Sequence, residues 1–264
     1  MYQGFYNLTS GMLTQGRNLN VISNNMVNVQ TAGYKSDTMV SKTFGEEMLY
    51  RTGVQNKGNP KELATVSKIK AADRTYVSYD QGVFEPTEGI YDFALGGKGF
   101  FCIQTPQGER YTRNGSFSVD EDGYLVLDEL GRVLSSDNQP IRIMDENFGV
   151  DSRGRITSII EPDEEDESGE AETIHYGTLK VVDFADYDQL HKEDSGLFST
   201  AQNPLENTDG STPIQWKTLE RSNVDMVQEM TAMMSSQRAL QSAAQVLKMY
   251  DQVLSKASSD VGRL

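Results

Sequence analysis

Ser67-Lys-Ile-Lys70 has the Ser-x-x-Lys spacing with which a lysine amine activates a serine hydroxyl for acyl transfer. None of the companion motifs of that chemistry accompanies it, and so short a pattern is common by chance. Gly96-Gly-Lys-Gly99 is glycine-rich, but it lacks the spacing, and the Ser or Thr after the Lys, that a phosphate-cradling loop needs. Asp120-Glu-Asp-Gly123 resembles the opening of a calcium loop, yet its twelfth position is Gly131 rather than a chelating Glu. A hairpin turn accounts for it better. His175 and His191 are the only histidines and Cys102 the only cysteine, which leaves little for a His-based metal site and nothing for an internal disulfide. Asn7-Leu-Thr9 and Asn114-Gly-Ser116 are formal glycosylation sequons without a secretory context. These residues support no catalytic, cofactor or metal site, and the expectation is a protein that is not an enzyme.

The 264 residues are enough for two domains. The formal net charge of -15 argues against coating nucleic acid, which requires surplus cations. No apolar run approaches the length that spans a bilayer, and the start of the chain does not read as a cleaved signal peptide. The charge is uneven. Residues 1–36 carry Arg17 and Lys35 and no acid, residues 219–264 balance five acids with five bases, and residues 37–218 hold 34 acids against 17 bases. The run 161–172 alone contains eight acids, the mark of a solvated loop, with cation binding as the lesser reading.

The ends that lack this excess read as helices. Phe5, Leu8, Met12, Gln15, Leu19, Ile22, Met26 and Val29 repeat at alternating steps of three and four, a seam about 38 Å long at 1.5 Å per residue. Gly33 is the natural stop. At the other end Leu219, Asn223, Met226, Met230, Met233, Gln237, Leu240, Ala244, Leu247, Asp251 and Leu254 follow the same steps, so the pattern predicts one helix from about 219 to 258. The first helix presents Asn18, Asn20, Ser23, Asn24, Asn25 and Asn28 where a solvated face would carry Glu and Lys. Amides suit close packing with directional hydrogen bonds, and Gln15 and Gln237 within the seams would fix register. Packing against other copies is therefore expected, with an intramolecular helix pair as the alternative.

Between the ends the helical period disappears. Short apolar runs at 99–104, 124–127, 141–143 and 179–183 alternate with the turn signals Gln107-Gly108, Asn114-Gly115 and Asp122-Gly123. Val119-Asp-Glu-Asp-Gly-Tyr-Leu125 and Val150-Asp-Ser-Arg-Gly-Arg-Ile156 share V-D-x-x-G-x-[LI], which predicts two tight hairpins with glycine at positive φ. The expected class is α+β. A coiled-coil-like domain of paired terminal helices (1–36 and 216–264) accompanies a linker or extended segment (37–70) and a central β domain (71–215) with its acidic loop.

The end motifs carry a family resemblance. Ser23-Asn-Asn-Met-Val-Asn-Val-Gln-Thr-Ala-Gly-Tyr-Lys35 resembles the signature of bacterial flagellar rod and hook proteins. Leu219-Glu-Arg-Ser-Asn-Val-Asp225, Val227-Gln-Glu-Met230 and Gln237-Arg-Ala239 are similar to that family's C-terminal helix. Phe93–Phe101, Tyr111–Phe117 and Asp122–Leu125 resemble its β domain. Met26-Val27 stands for the family's Leu-Ala, Tyr34 for Phe, and Leu240 where Tyr is frequent; these blur the paralogue and leave the family.

The resemblance implies an axial basal-body component, closest to the rod proteins, exported by the flagellar type III apparatus without a cleaved signal. It would polymerise helically into a hollow, torque-transmitting shaft, its partners being further copies, other rod and hook proteins and the export apparatus. Nucleic acid and membrane insertion are not expected. The assembly interface expected from seams and motifs together is Leu8, Met12, Gln15, Leu19, Ile22, Asn24, Asn25, Asn28, Gly33, Tyr34, Lys35, Leu219, Asn223, Val224, Asp225, Met230, Met233, Gln237, Arg238, Leu240 and Leu247. A hook or hook-junction protein is the nearest alternative. A secreted β-domain enzyme or a calcium-binding adhesive protein is more distant, since neither accounts for the acid-free N-terminal seam.

Overall fold

The computed structural model describes residues 2–51, 61–127, 130–145, 147–160, 172–193, 195–206 and 212–261. The acidic run therefore lies outside the described residues except for Glu172. The chain divides into two compact units. A helical unit comprises Met1–Val27, Ser36–Ser78 and Val224–Leu264; a β unit comprises Asn28–Lys35 and Tyr79–Asn223.

In the helical unit, α1 (Tyr2–Val27) packs against α2 (Met226–Val261). The 37–70 segment, expected as a linker or extended segment, contributes to a two-stranded antiparallel ribbon, β1 (Asp37–Arg51) with β2 (Lys61–Val77). Its residues lack the period of a one-faced sheet, which is why the pattern did not reveal a strand. Both strands pack on α1. The C-terminal helix also starts later than its apolar period suggested. Leu219 belongs to the strand Thr218–Glu220, and the helix begins only where Asp225 caps it. The Asp225 carboxylate accepts from the backbone N–H of Val227 (2.9 Å) and Gln228 (3.2 Å), satisfying two donors that the first turn leaves open.

Among the described residues of the β unit all strand pairing is antiparallel. The short strands β3 (Phe84–Pro86) and β4 (Phe93–Leu95) pair with Thr218–Glu220 and Ile214–Trp216. The central hairpin is β5 (Phe100–Thr105) and β6 (Gly108–Thr112), turned by Gly108 at φ +116°. Gly131–Val133 and Val181–Asp183 also pair with β5. A three-stranded sheet joins Phe148–Val150, Arg155–Ile160 and Glu172–Thr178. The residues Phe100–Ile103 form an unbroken apolar run because both faces of β5 are covered. Phe101 packs edge-on to Phe117, while Phe100 meets Tyr79, Phe184, Tyr187 and Phe198. The echoed motifs are two tight hairpins, with Val119 opposite Leu125 and Val150 opposite Ile156, and with Gly123 and Gly154 at φ +84° and +78°.

Candidate functional site: two helix faces and a buried charge cluster

α1 turns Ile22 and Asn25 fully inward and Leu8, Met12, Gln15 and Leu19 partly inward. On α2 the inward row is Met233, Ser236, Leu240, Ala243, Leu247 and Tyr250, again at steps of three and four. Three members of the expected seam, Met233, Leu240 and Leu247, lie in it; Gln237 and Arg238 are exposed beside it. Polar contacts knit the pair together. The Asn18 amide donates to Ser236 Oγ at 3.2 Å. Asn25 is 1 % exposed: its amide donates to the Asp37 carbonyl (2.8 Å) and Glu229 Oε1 (2.7 Å), and its Oδ1 accepts from the Asp37 N–H (2.9 Å). Expected at an interface between copies, Asn25 is instead consumed in fastening α1, β1 and α2 to one another. Asn24 is exposed and Val224 half-buried. Gln15 Oε1 is buried with no hydrogen-bond partner among the described residues; Gln15 lines a groove with Leu8, Met12, Ser41 and Leu240.

Further apolar side chains face solvent. Val227, Met230 and Met234 repeat at three and four on one flank of the inward row of α2, and Val246, Met249 and Val253 do so on the other. On α1, Tyr6, Leu13 and Val27 occupy one line at multiples of seven, with Val27 80 % exposed. Among the described residues of this unit, Ile22 is the one buried large apolar side chain.

Gly33, Tyr34 and Lys35, also expected at an assembly interface, are buried within the β unit. Gly33 takes φ +66° and lies against the Arg113–Asn114 backbone where a Cβ has no room. Its N–H donates to the Glu220 carbonyl at 2.7 Å. Lys35 Nζ donates to Glu220 Oε1 (2.7 Å) and the Asp80 carbonyl (2.8 Å). Glu220 also accepts from the Gly82 N–H (2.9 Å) and from Arg113 (3.3 Å). Burial pushes the Lys35 ammonium and the Arg113 guanidinium below their ordinary values, and the Glu220 carboxylate opposes both shifts. Lys192 covers the cluster, its ammonium 3.8 Å from the Tyr34 ring centre and donating to the Lys35 carbonyl. Nearby, Asn223 donates to the Asp80 carbonyl, and Asn28 accepts from the Thr31 hydroxyl. Glu220, the shared partner of Lys35 and Arg113, was missed; a separation of 185 positions along the chain hid its pairing with Lys35.

The residues with candidate chemistry are spent on structure. Asp120 Oδ1 accepts from the N–H groups of Asp122 and Tyr124, and Arg132 pairs with Asp120 and Asp122 at 2.9 and 3.0 Å. The ring Nδ1 of His175 is 3.1 Å from the Ile156 carbonyl. Burial pushes the Cys102 thiol well up, so it stays protonated inside the β unit. Ser67 and Lys70 lie in β2.

A β unit with its own core, together with helices that keep apolar side chains in water, has the build of a subunit for a larger assembly. Three family descriptions match in chain order: flagella basal body rod protein over residues 5–35, flagellar hook protein FlgE/F/G D1 domain over 94–158, and flagellar basal body rod FlgEFG protein C-terminal over 217–260. The flagellar basal-body rod protein FlgG of Buchnera aphidicola subsp. Schizaphis graminum is 30 % identical, the match covering 94 % of this chain and 96 % of the relative. FlgF of Caulobacter vibrioides is 30 % identical over 97 % and 95 %. The flagellar hook-basal body complex protein FlhO of Bacillus subtilis is 28 % identical over the whole of both chains. The chain belongs to this family of structural rod proteins of the flagellar basal body.

Proposed function

We propose that copies of this chain pack through the outward rows of α1 and α2 into a helical, hollow shaft that transmits torque, joined end to end with other axial proteins. The observation that carries the reading is the set of exposed apolar side chains on helices whose inward row is already used. An apolar stripe left in water on both members of a pair calls for further helices. A contact that is not self-complementary repeats as a helix rather than closing as a ring. Passage through the flagellar export apparatus with no signal cleaved belongs to the same reading and rests on the family. So does the absence of catalysis and of nucleic-acid binding, supported by the structural use of Asp120 and Cys102 and by the charge of -15.

Leu13→Ser combined with Met234→Ser tests it in the host bacterium. The variant is expected to fold as the parent does by circular dichroism and to be absent from purified basal bodies. Incorporation at the parental level would overturn the reading.

A further inference from the structure

An open pocket of about 270 Å³ in the β unit is lined by Arg153, Arg155, Lys180, Glu206, Ser136 and Thr178, among others. Lys180 is spent, since its ammonium donates to Glu109 (2.8 Å) and Asn138 (2.6 Å) and lies 4.0 Å from Glu206. Arg153 and Arg155 are different. Both are exposed at the pocket, and neither has a hydrogen-bond or ion-pair partner among the described residues. Two uncommitted guanidiniums stand together in a segment with twice as many acids as bases. They form a fork suited to carboxylates.

We propose that this pocket receives the acidic run Glu161–Glu172 of a second copy of the chain. Charge complementarity selects the occupant, because eight acids in twelve residues are the densest anionic stretch of the sequence. Reach selects the copy. Arg155 pairs with Thr178, and Ile160 pairs with Glu172, so the run leaves the sheet at the end away from the pocket. That separation is about 17 Å at 3.3 Å per residue. The residues between Ile160 and Glu172 reach out and back about 20 Å at full stretch, which brings their midpoint to the pocket and no more. A neighbour can present the whole run. Basic and acidic ends on one sheet make a head-to-tail contact, of the kind that propagates without closing. The inference deepens the assembly reading and rests on it, while its test needs no polymer.

A fluorescein-labelled peptide of residues 161–172 is titrated with the full-length protein at low salt and followed by anisotropy. Saturable binding is expected, weakening as salt is raised. Arg153→Glu with Arg155→Glu should lower the affinity by roughly tenfold or more. Lys248→Glu with Lys256→Glu, which changes net charge equally but lies on α2, should leave it within about twofold. An equal loss in both double variants would reduce the effect to net charge and overturn the proposal, as would no binding at millimolar protein. Binding that emerges only after the protein's own acids are changed to amides would place its own run in the pocket and overturn the exchange between copies. Peptide binding with no polymer in cells would instead count against the assembly reading alone.

Discussion

The β unit and the helical unit bury their residues in different ways. Phe93, Phe101, Ile103, Leu125, Val133, Ile141 and Ile156 form a closed apolar core, each at most 1 % exposed. In the helical unit the buried side chains are Ile22 and the polar Thr14, Asn25 and Ser236 among the described residues, while Leu13, Val227 and Val253 stay more than half exposed. The first unit gains its stability from apolar area removed from water. The second gains specificity from placed amides and keeps its apolar area in reserve. On the proposed reading a subunit that meets further copies needs both, since a fully satisfied helix pair would have nothing left to offer.

That contrast is open to direct attack. Phe101→Ala should cost about 4 kcal/mol by opening a cavity in a core with nothing to fill it, measured as a fall in the urea midpoint of the cooperative transition. A loss below 1 kcal/mol on the scale of a surface substitution would mean that the β core is not closed. Next, Glu220→Gln leaves Lys35 and Arg113 facing a neutral amide in a buried site and should cost about 3 kcal/mol. The same urea experiment checks it, and recovery in a Lys35→Met, Arg113→Met, Glu220→Met triple variant would show that the penalty is an uncompensated charge. Asp225→Ala removes the α2 cap and should cost about 1 kcal/mol, seen as helix fraying by amide exchange in the first turn. The smallest effect at neutral pH belongs to Tyr111, whose phenol is pushed up to about 12 by burial first and then by Glu109. The unfolded chain releases that proton near pH 10 and the folded one near 12, so the folded state holds more protons between them. Stability should therefore fall as pH rises through that interval. Tyr111→Phe should flatten the slope of melting temperature against pH.

What was legible followed from local rules. The steps of three and four gave two helices, and glycines after Asp-rich turns gave hairpins at Gly123 and Gly154, because a 3.6-residue period and a positive φ are set by near neighbours. The same rules overran at Leu219, where an apolar residue in helical phase sits in a strand. Phase cannot tell a helix from a strand when Asp225 six residues later is what opens the helix. They did not reveal the ribbon of Asp37–Arg51 with Lys61–Val77, whose pairing is visible only in the register. Among the candidate site residues, Leu8, Met12, Leu19, Ile22, Leu240 and Leu247 lie on the inward faces of α1 and α2. Whether each faces α1, α2 or solvent depended on a rotation that composition does not specify.

The sequence by itself determined the two amide-rich amphipathic helices, the acidic β-rich middle and the family signature, since each is written in residues close along the chain. Only the tertiary structure decided that Asn25 and Lys35 are spent internally, that α2 keeps apolar side chains outside its inward row, and that Arg153 and Arg155 stand beside one pocket with no hydrogen-bond or ion-pair partner among the described residues. Those facts depend on which distant groups meet. Burial makes such meetings consequential: a charge or amide removed from water must find its partner wherever the chain brings it, even 185 residues away.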